Sequence, residues 1–376
     1  MAEKFVYLTN LTGAQILELV RALDEPSYRA RQLQRWTYHK LAFSFDEMTD
    51  LPNPLRDKLA EKIRLHNLTP AHEVVGGDGT VKTLFALGDG KTIESTLMPY
   101  PAGKGRARYT VCLSTQVGCP IGCPFCATGQ QGFERNLTPG EIIDQVLYFA
   151  RRLRDRSNEV GNNASQPASH ITNLVFMGMG EPLANYDALW QAVRVLNSPQ
   201  GFGLGARHMV ISTAGLVPGI RRLSREKLQI GLAISLHAAD EVLRTKLVPI
   251  NKKYPLRQLI PACQEYCEST GRRLSFEYLL FKGTNDSVHH ARSLARLLIG
   301  LNCHVNLIPA NRTADQSFRP PTRSSILAFE NELKRLGIAC TLREGKGVDI
   351  DAGCGQLRSR LILPPRSRVP CQVAED

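Results

Sequence analysis

The spacing of apolar residues along the chain changes period twice. Up to residue 66 it is helical. Thr12 precedes Ile16, Leu17, Leu19, Val20 and Leu23, Pro26-Ser27 opens a second helix to about Lys40, and Leu55 to Ile63 forms a third after the break at Asp50–Pro54. From 71 to 98 the pattern becomes strand-like: Glu73–Val75, Val81–Leu87 and Thr92–Met98 are separated by the turns Gly76–Gly79 and Gly88-Asp-Gly90, which is hairpin chemistry. From about 108 short apolar runs alternate with helical stretches. The runs are Tyr109–Ser114, Ile171–Phe176, Met209–Ser212, Gly231–Leu236, Ser275–Phe281 and His304–Ile308. Thr138-Pro-Gly-Glu141 is a capping box for a helix expected to reach Leu153, and 157–169 reads as a polar insertion.

Alternating strand and helix implies a parallel sheet with right-handed crossovers. Six such units predict an α/β fold, a partial (βα)6 TIM-like barrel with a small N-terminal helical domain and a β-hairpin linker region. The expected organisation is an accessory helical domain over 1–70, a β-rich connecting region over 71–107, the barrel over 108–345, and a C-terminal segment over 346–376.

Barrels of this kind place chemistry at the carboxyl ends of their strands. The first strand runs into Cys112-x6-Cys119-x3-Cys123-x2-Cys126. Three thiols at C-x3-C-x2-C spacing can hold three corners of an iron–sulfur cubane and leave the fourth iron open, whereas ferredoxin sites supply four cysteines. A zinc site with Cys112 as fourth ligand, or simply buried thiols, is the plainer reading; zinc ligands usually come as tighter pairs on separate hairpins. Gly178-Met-Gly180-Glu181, Ser212, Ser235-Leu236-His237 and Asn311 fall at the other strand ends. Singly, each could be a turn or a cap; their common position makes them candidates for holding a small molecule. Cys354, between two glycines, sits where a thiol can be accessible, which thiol chemistry requires. Cys263 and Cys267 lie four apart on a helix, where packing is the better explanation, and Cys303, Cys340 and Cys371 suggest nothing.

Composition adds a partner class. The formal net charge is +12, and an excess of this sign favours a polyanion. Basic residues cluster at Arg29, Arg31, Arg35 and Lys40 (with Trp36, Tyr38 and His39 among them), at Arg151, Arg152, Arg154 and Arg156, and at Arg358, Arg360, Arg366 and Arg368. No apolar run approaches the roughly 20 residues of a membrane span, the first residues lack a signal-peptide pattern, and ten cysteines diluted over 376 residues suit a reducing compartment. A cytoplasmic protein is expected, with no membrane partner.

Taken together, the cysteine motif, Gln131-Gly-Phe-x-Arg135-Asn136, Met177-Gly-Met-Gly-Glu-Pro-Leu183, Ser212-Thr-x-Gly215, Ser235-Leu-His237, Val248-Pro-Ile-Asn-Lys-Lys-Tyr254, Asn306-Leu-Ile-Pro309 and Ala352-Gly-Cys-Gly-Gln-Leu357 resemble, in order and over nearly the whole length, the dual-specificity RNA adenosine methyltransferases of the RlmN type, within the RlmN/Cfr family of radical S-adenosylmethionine (SAM) enzymes. The match departs at Ala310 and Arg312 and in the long 157–169 insertion.

The resemblance implies a 4Fe-4S cluster on Cys119, Cys123 and Cys126, and two SAM molecules per turnover. SAM would contact Phe125, Gly180, Glu181, Ser212, Ser235, Leu236, His237 and Asn311. Carbon 2 of adenine is electrophilic and will not attack a methyl sulfonium, so a radical route is needed. By analogy Cys354 takes a methyl group from one SAM, and a radical made from a second removes hydrogen from that S-methyl. The methylene adds to adenine, Glu94 accepts a proton, and Cys112 attacks Cys354 to release product as a disulfide forms. The implied partners are 23S rRNA (its peptidyl-transferase centre), certain tRNAs beside the anticodon, and a flavodoxin- or ferredoxin-like reductant, with the enzyme a monomer. Two alternatives stand beside this: Cfr-type methylation at carbon 8, and a zinc-stabilised RNA-binding protein without catalysis.

Overall fold

The computed structural model describes residues 6–101, 107–159, 170–311, 318–343, 345–353 and 355–356. Cys354, Cys371 and the arginines from Arg358 onward lie outside the described residues, as do residues 160–169 of the expected insertion.

The N-terminal helices are α1 (Gly13–Arg21), α2 (Tyr28–Gln34) and α3 (Asn53–Lys62), flanked by a short parallel pair, β1 (Val6–Tyr7) and β2 (Ile63–Arg64). Thr12 starts α1 with a full capping box to Gln15. Leu8, Ile16, Val20, Leu33, Leu55 and Leu59 meet in a core of their own. Asn67 joins this unit to the rest: its backbone N–H and its side-chain amide both donate to Asp144.

A single ten-stranded sheet forms the body of the molecule, in the order β14-β13-β12-β11-β10-β9-β6-β5-β4-β3. The strands β3 (Leu68–Val75), β4 (Val81–Leu87) and β5 (Thr92–Tyr100) are antiparallel and pair onward with β6 (Arg108–Cys112). The expected hairpins therefore extend the barrel sheet. From β6 the pairing is parallel through β9 (Asn173–Phe176), β10 (Met209–Thr213), β11 (Gly231–Ser235), β12 (Leu274–Leu280), β13 (Cys303–Pro309) and β14 (Cys340–Leu342). The edge strands β3 and β14 do not pair with each other among the described residues, so the barrel is open. The last strand, only three residues long, was not expected. A two-stranded ribbon, β7 (Gln116–Gly118) with β8 (Phe133–Asn136), frames the cysteine loop.

Helices α4 (Ala127–Gln130), α5 (Pro139–Glu159), α6 (Tyr186–Asn197), α7 (Val217–Leu223), α8 (Glu241–Leu247), α9 (Leu256–Thr270), α10 (Val288–Leu298) and α11 (Arg323–Arg335) complete the fold. α5 passes the expected end at Leu153 and takes in the start of the supposed insertion, with Ser157 returning its hydroxyl to the Leu153 carbonyl. Among the described residues no helix is long and apolar enough to cross a membrane.

Candidate active site

Strand register decides which side chains can meet. Directly paired residues share a face, and that face repeats every second residue. Lys82 pairs with Thr96, Thr96 with Cys112, and Cys112 with Val175. Further along, Ser212 pairs with Ala233, Ser235 with Glu277, and Glu277 with Asn306. Val175 continues this face through its partner Val210, two residues before Ser212. Lys82, Glu94, Cys112, Ser212, Ser235, Glu277 and Asn306 therefore all lie on one face of the sheet.

At the carboxyl end of that face is a cavity of about 150 Å³. Cys119, Cys123, Cys126 and Phe125 line one side, and Gly180, Glu181, Ser212, Ser235 and His237 the other. The cysteine loop is set by local bonds: the Cys119 N–H donates to the Gly132 carbonyl at 2.8 Å, and the Cys126 N–H to that of Cys123 at 3.1 Å. On the opposite wall the turn after β9 passes so close to β6 and β7 that side chains are excluded. A Cβ at Gly178 would stand 2.7 Å from the Leu113 carbonyl carbon, and one at Gly180, whose φ is +106°, 2.6 Å from the Gln116 Cβ. Only glycine fits there.

Glu181 is 2% exposed and takes the Ala214 N–H at 2.7 Å and the Leu183 N–H at 3.1 Å. Burial raises its pKa, partly opposed by those N–H groups. The Thr213 hydroxyl is a third donor to the carboxylate, which leaves one of its four lone pairs for a cationic ligand. His237 has a left-handed φ of +60° and accepts the Leu279 N–H on Nδ1, which puts its proton on Nε2. Burial, aided by the cation of Arg244, lowers its pKa to about 3, so it is a neutral donor. Its ring meets Phe125 edge-on at 5.2 Å, and Phe125 packs on Phe281 at the same distance. The Ser212 and Ser235 hydroxyls lie 3.4 Å apart.

The three thiols suit a cationic cluster. Burial pushes Cys119 up to about 12 and raises Cys126. Cys123 is raised by burial and then by the negative charge its two neighbours would carry. Thiolates gathered this way need a metal centre to hold them ionised. Among the described residues no three His, Cys, Asp or Glu side chains converge as ligands of a single ion would; ligands to separate corners of a cubane are spaced more widely. The residues present fit a 4Fe-4S cluster held by three cysteines.

Other expected residues fall differently. Leu236 is in the core with its N–H given to the Glu277 carbonyl, and it does not line the cavity. Asn311 lies beside the C-terminal segment, where a Cβ on Gly353 would meet its amide. Glu94 and Cys112 sit on the inner face away from the cavity wall, Glu94 only 4% exposed. Gly355, which follows Cys354 in the chain, lines the cavity and its carbonyl accepts the Ala127 N–H at 2.8 Å.

Two residues escaped sequence reasoning. Glu277 is a cavity-lining carboxylate, 9% exposed, held by the Asn306 amide at 2.7 Å, whose oxygen accepts from Arg343 at 3.0 Å. Arg244 is fully buried behind the cavity and binds the carbonyl of Ala214 at 2.7 Å and Asn251 at 2.6 Å. A solitary Glu in a strand and an Arg in a helix carry no signal by themselves.

Two basic clusters are partly structural. Arg151 donates to Ala42 and His66, Arg154 to the Lys40 and Leu41 carbonyls, and Arg152 pairs with Glu73. The three arginines and His66 line a larger cavity of about 620 Å³ between the N-terminal unit and α5. Trp36 and Tyr38 are buried, while Arg31 and Arg35 are exposed.

Comparison with known proteins agrees with this geometry. Residues 6–65 match the family described as ribosomal RNA large subunit methyltransferase N-terminal domain, and 113–295 match the radical SAM superfamily. The chain is 47% identical over 371 residues to the probable dual-specificity RNA methyltransferase RlmN of Chloroflexus aurantiacus, covering 97% of this chain and 95% of that protein. It is 46% identical over 359 residues to the protein of the same name from Moorella thermoacetica, covering 95% and 98%. Among solved structures, a radical SAM methyltransferase from Sphaerobacter thermophilus superposes with a TM-score of 0.88 at 49% identity, over 94% of this chain and all of that one. Identity of this order over almost the full length shows that the chain belongs to the RlmN family of the radical SAM superfamily, whose members use a 4Fe-4S cluster and SAM.

Proposed function

We propose that this protein is a cytoplasmic RNA methyltransferase that places a methyl group on carbon 2 of an adenosine, in 23S rRNA and in tRNA beside the anticodon, using two SAM molecules per turnover and an external reductant. The observation that carries the reading is the cavity where the three thiols meet Glu181, Ser212, Ser235 and His237, with Gly355, the neighbour of Cys354, on its wall.

Cys119, Cys123 and Cys126 hold the cluster; Glu181 accepts the ammonium of SAM, the two serines and His237 bond its polar edges, and Phe125 covers its adenine. When bound, cluster and SAM supply a carbon radical able to remove hydrogen from an unactivated methyl group. The Cys354 thiolate first attacks the methyl carbon of one SAM, S-adenosylhomocysteine leaving with the electron pair of the broken bond, and so becomes the S-methyl that loses this hydrogen. Its methylene then forms a C–C bond to carbon 2. Recovery of the aromatic ring requires the carbon-2 proton to pass to Glu94 and the odd electron to a one-electron acceptor of the iron–sulfur class. Cys112 thiolate next attacks Sγ of Cys354. The S–C electron pair goes to the methylene, which takes up a proton to become methyl, and the new disulfide is reset by a dithiol reductant.

An adenosine must leave its stack to reach this face, and exposed arginines such as Arg31 and Arg35 are suited to phosphate contact. Nucleoside digestion and mass spectrometry of RNA incubated with the cluster-loaded enzyme tests the reading. 2-Methyladenosine is expected; 8-methyladenosine would move the protein to the Cfr-type reaction, and unmodified RNA would overturn the proposal.

Glu277→Gln removes from the cavity wall a carboxyl group whose pKa burial raises, against the lowering effect of the Asn306 amide and Arg343. Equilibrium dialysis of SAM against the cluster-loaded variant is expected to show binding weaker by about tenfold, the worth of one charge-assisted hydrogen bond. Unchanged affinity would leave Glu277 outside the binding set.

A further inference from the structure

Lys82 and Glu94 form an ion pair across neighbouring antiparallel strands, Nζ to Oε1 at 3.7 Å, with both side chains buried. The register makes them diagonal neighbours on the inner face, since Lys82 pairs with Thr96 and Leu84 with Glu94. The same ammonium donates to the Asp351 carbonyl at 3.3 Å, three residues before Cys354 in the chain.

The segment around Asp351 is seated on the β3–β4 turn. Gly347 donates to Asp78 at 3.1 Å, Gly77 donates to Asp349 at 2.8 Å, and Gln356 closes back on Asp351 and Gly353. Lys82 thus touches both the carboxylate and this segment.

A buried Lys–Glu pair is a poor means of stabilising a sheet, because two charges must be stripped of water to make it. It is a good means of keeping a carboxylate anionic in an interior that would otherwise protonate it. At 3.7 Å the contact is electrostatic and longer than a hydrogen bond.

We propose that Lys82 is a positioning residue for the proton acceptor Glu94, holding its carboxylate anionic and in register with the segment that leads to Cys354. This rests on the roles given above to Glu94 and Cys354. Lys82 touches no reacting atom. It sets the rate at which the proton leaves carbon 2, and hence the rate at which RNA is freed from Cys354, while earlier steps do not depend on it.

The test compares Lys82→Met, Lys82→Gln and Lys82→Arg with Glu94→Gln, all cluster-loaded, by three readouts: methylation of Cys354 by mass spectrometry, covalent RNA–protein adduct on denaturing gels, and release of methylated RNA. The neutral variants are expected to methylate Cys354 at close to the wild-type rate, accumulate adduct, and release RNA at least about tenfold more slowly, a fraction of the value of a general base. Lys82→Arg is expected to restore most of the release. Equal slowing of every step in both neutral variants, or release at the wild-type rate, would overturn the proposal. If Glu94→Gln itself releases RNA normally, the reading of Glu94 fails. If Glu94→Gln traps adduct and the Lys82 variants do not, the Lys82 proposal alone fails.

Discussion

Cys354→Ala is expected to lower RNA methylation by at least about a thousandfold, the scale on which loss of a covalent nucleophile is felt, while leaving the iron content unchanged. The size of the effect follows from the chemistry at carbon 2. An electrophilic ring carbon cannot take a methyl cation equivalent directly from SAM, so a variant without the thiol has no slower polar route available. The accompanying signature is specific: no S-methylcysteine in the protein and no covalent RNA adduct. Cys112→Ala should behave differently, since its thiol acts after the C–C bond has formed; adduct should accumulate instead of failing to form. Methylation by Cys354→Ala at the wild-type rate, measured by methyl transfer to RNA under anaerobic conditions, would remove the covalent step from the account.

The second large effect belongs to the cluster. Cys123→Ala leaves two of three ligands, and reconstituted protein is expected to lose most of its iron, its visible absorption and all measurable methylation, with its far-ultraviolet circular dichroism preserved. The separation of fold from function has a structural basis. The loop is braced independently of the thiols, by the Cys119 N–H on Gly132, the Cys126 N–H on Cys123, and the Gln130 side chain on the Pro124 carbonyl at 2.6 Å. The core of the sheet, with Leu174, Phe176, Ile211, Ile234 and Phe276 fully buried, does not include the cysteine motif. A variant that keeps its full iron complement would place the cluster on other residues.

Much of this arrangement can be read from the chain because its signals are local. The C-x3-C-x2-C spacing, the glycines of Gly178-Met-Gly180 and the alternation of strand and helix each depend on neighbours in sequence. The cavity residues Glu181, Ser212, Ser235 and His237 are found by the rule that barrel chemistry gathers at strand ends. What the sequence hides is register. Lys82 meets Glu94, and Glu277 meets Asn306, only because strands pair with a particular offset; a slip of one residue would turn each to the other face. Arg244 is hidden for a related reason. A helix cation looks solvent-facing until its partners, the Ala214 carbonyl and Asn251, are seen to come from separate turns. Charge clusters mislead in the same way. Arg151 and Arg154 read as an RNA surface, yet their guanidinium groups hold the N-terminal unit to α5. β14 is too short to stand out as an apolar run, and it exists because β13 offers it an edge.

The most direct test of the central claim uses SAM carrying a fully deuterated methyl group. If the carbon travels through Cys354 as a methylene, one deuterium is lost by hydrogen abstraction before transfer. The 2-methyladenosine recovered from the RNA is then expected to carry a CD2H group. An intact CD3 group in the product would mean the methyl moved whole, and would contradict the account.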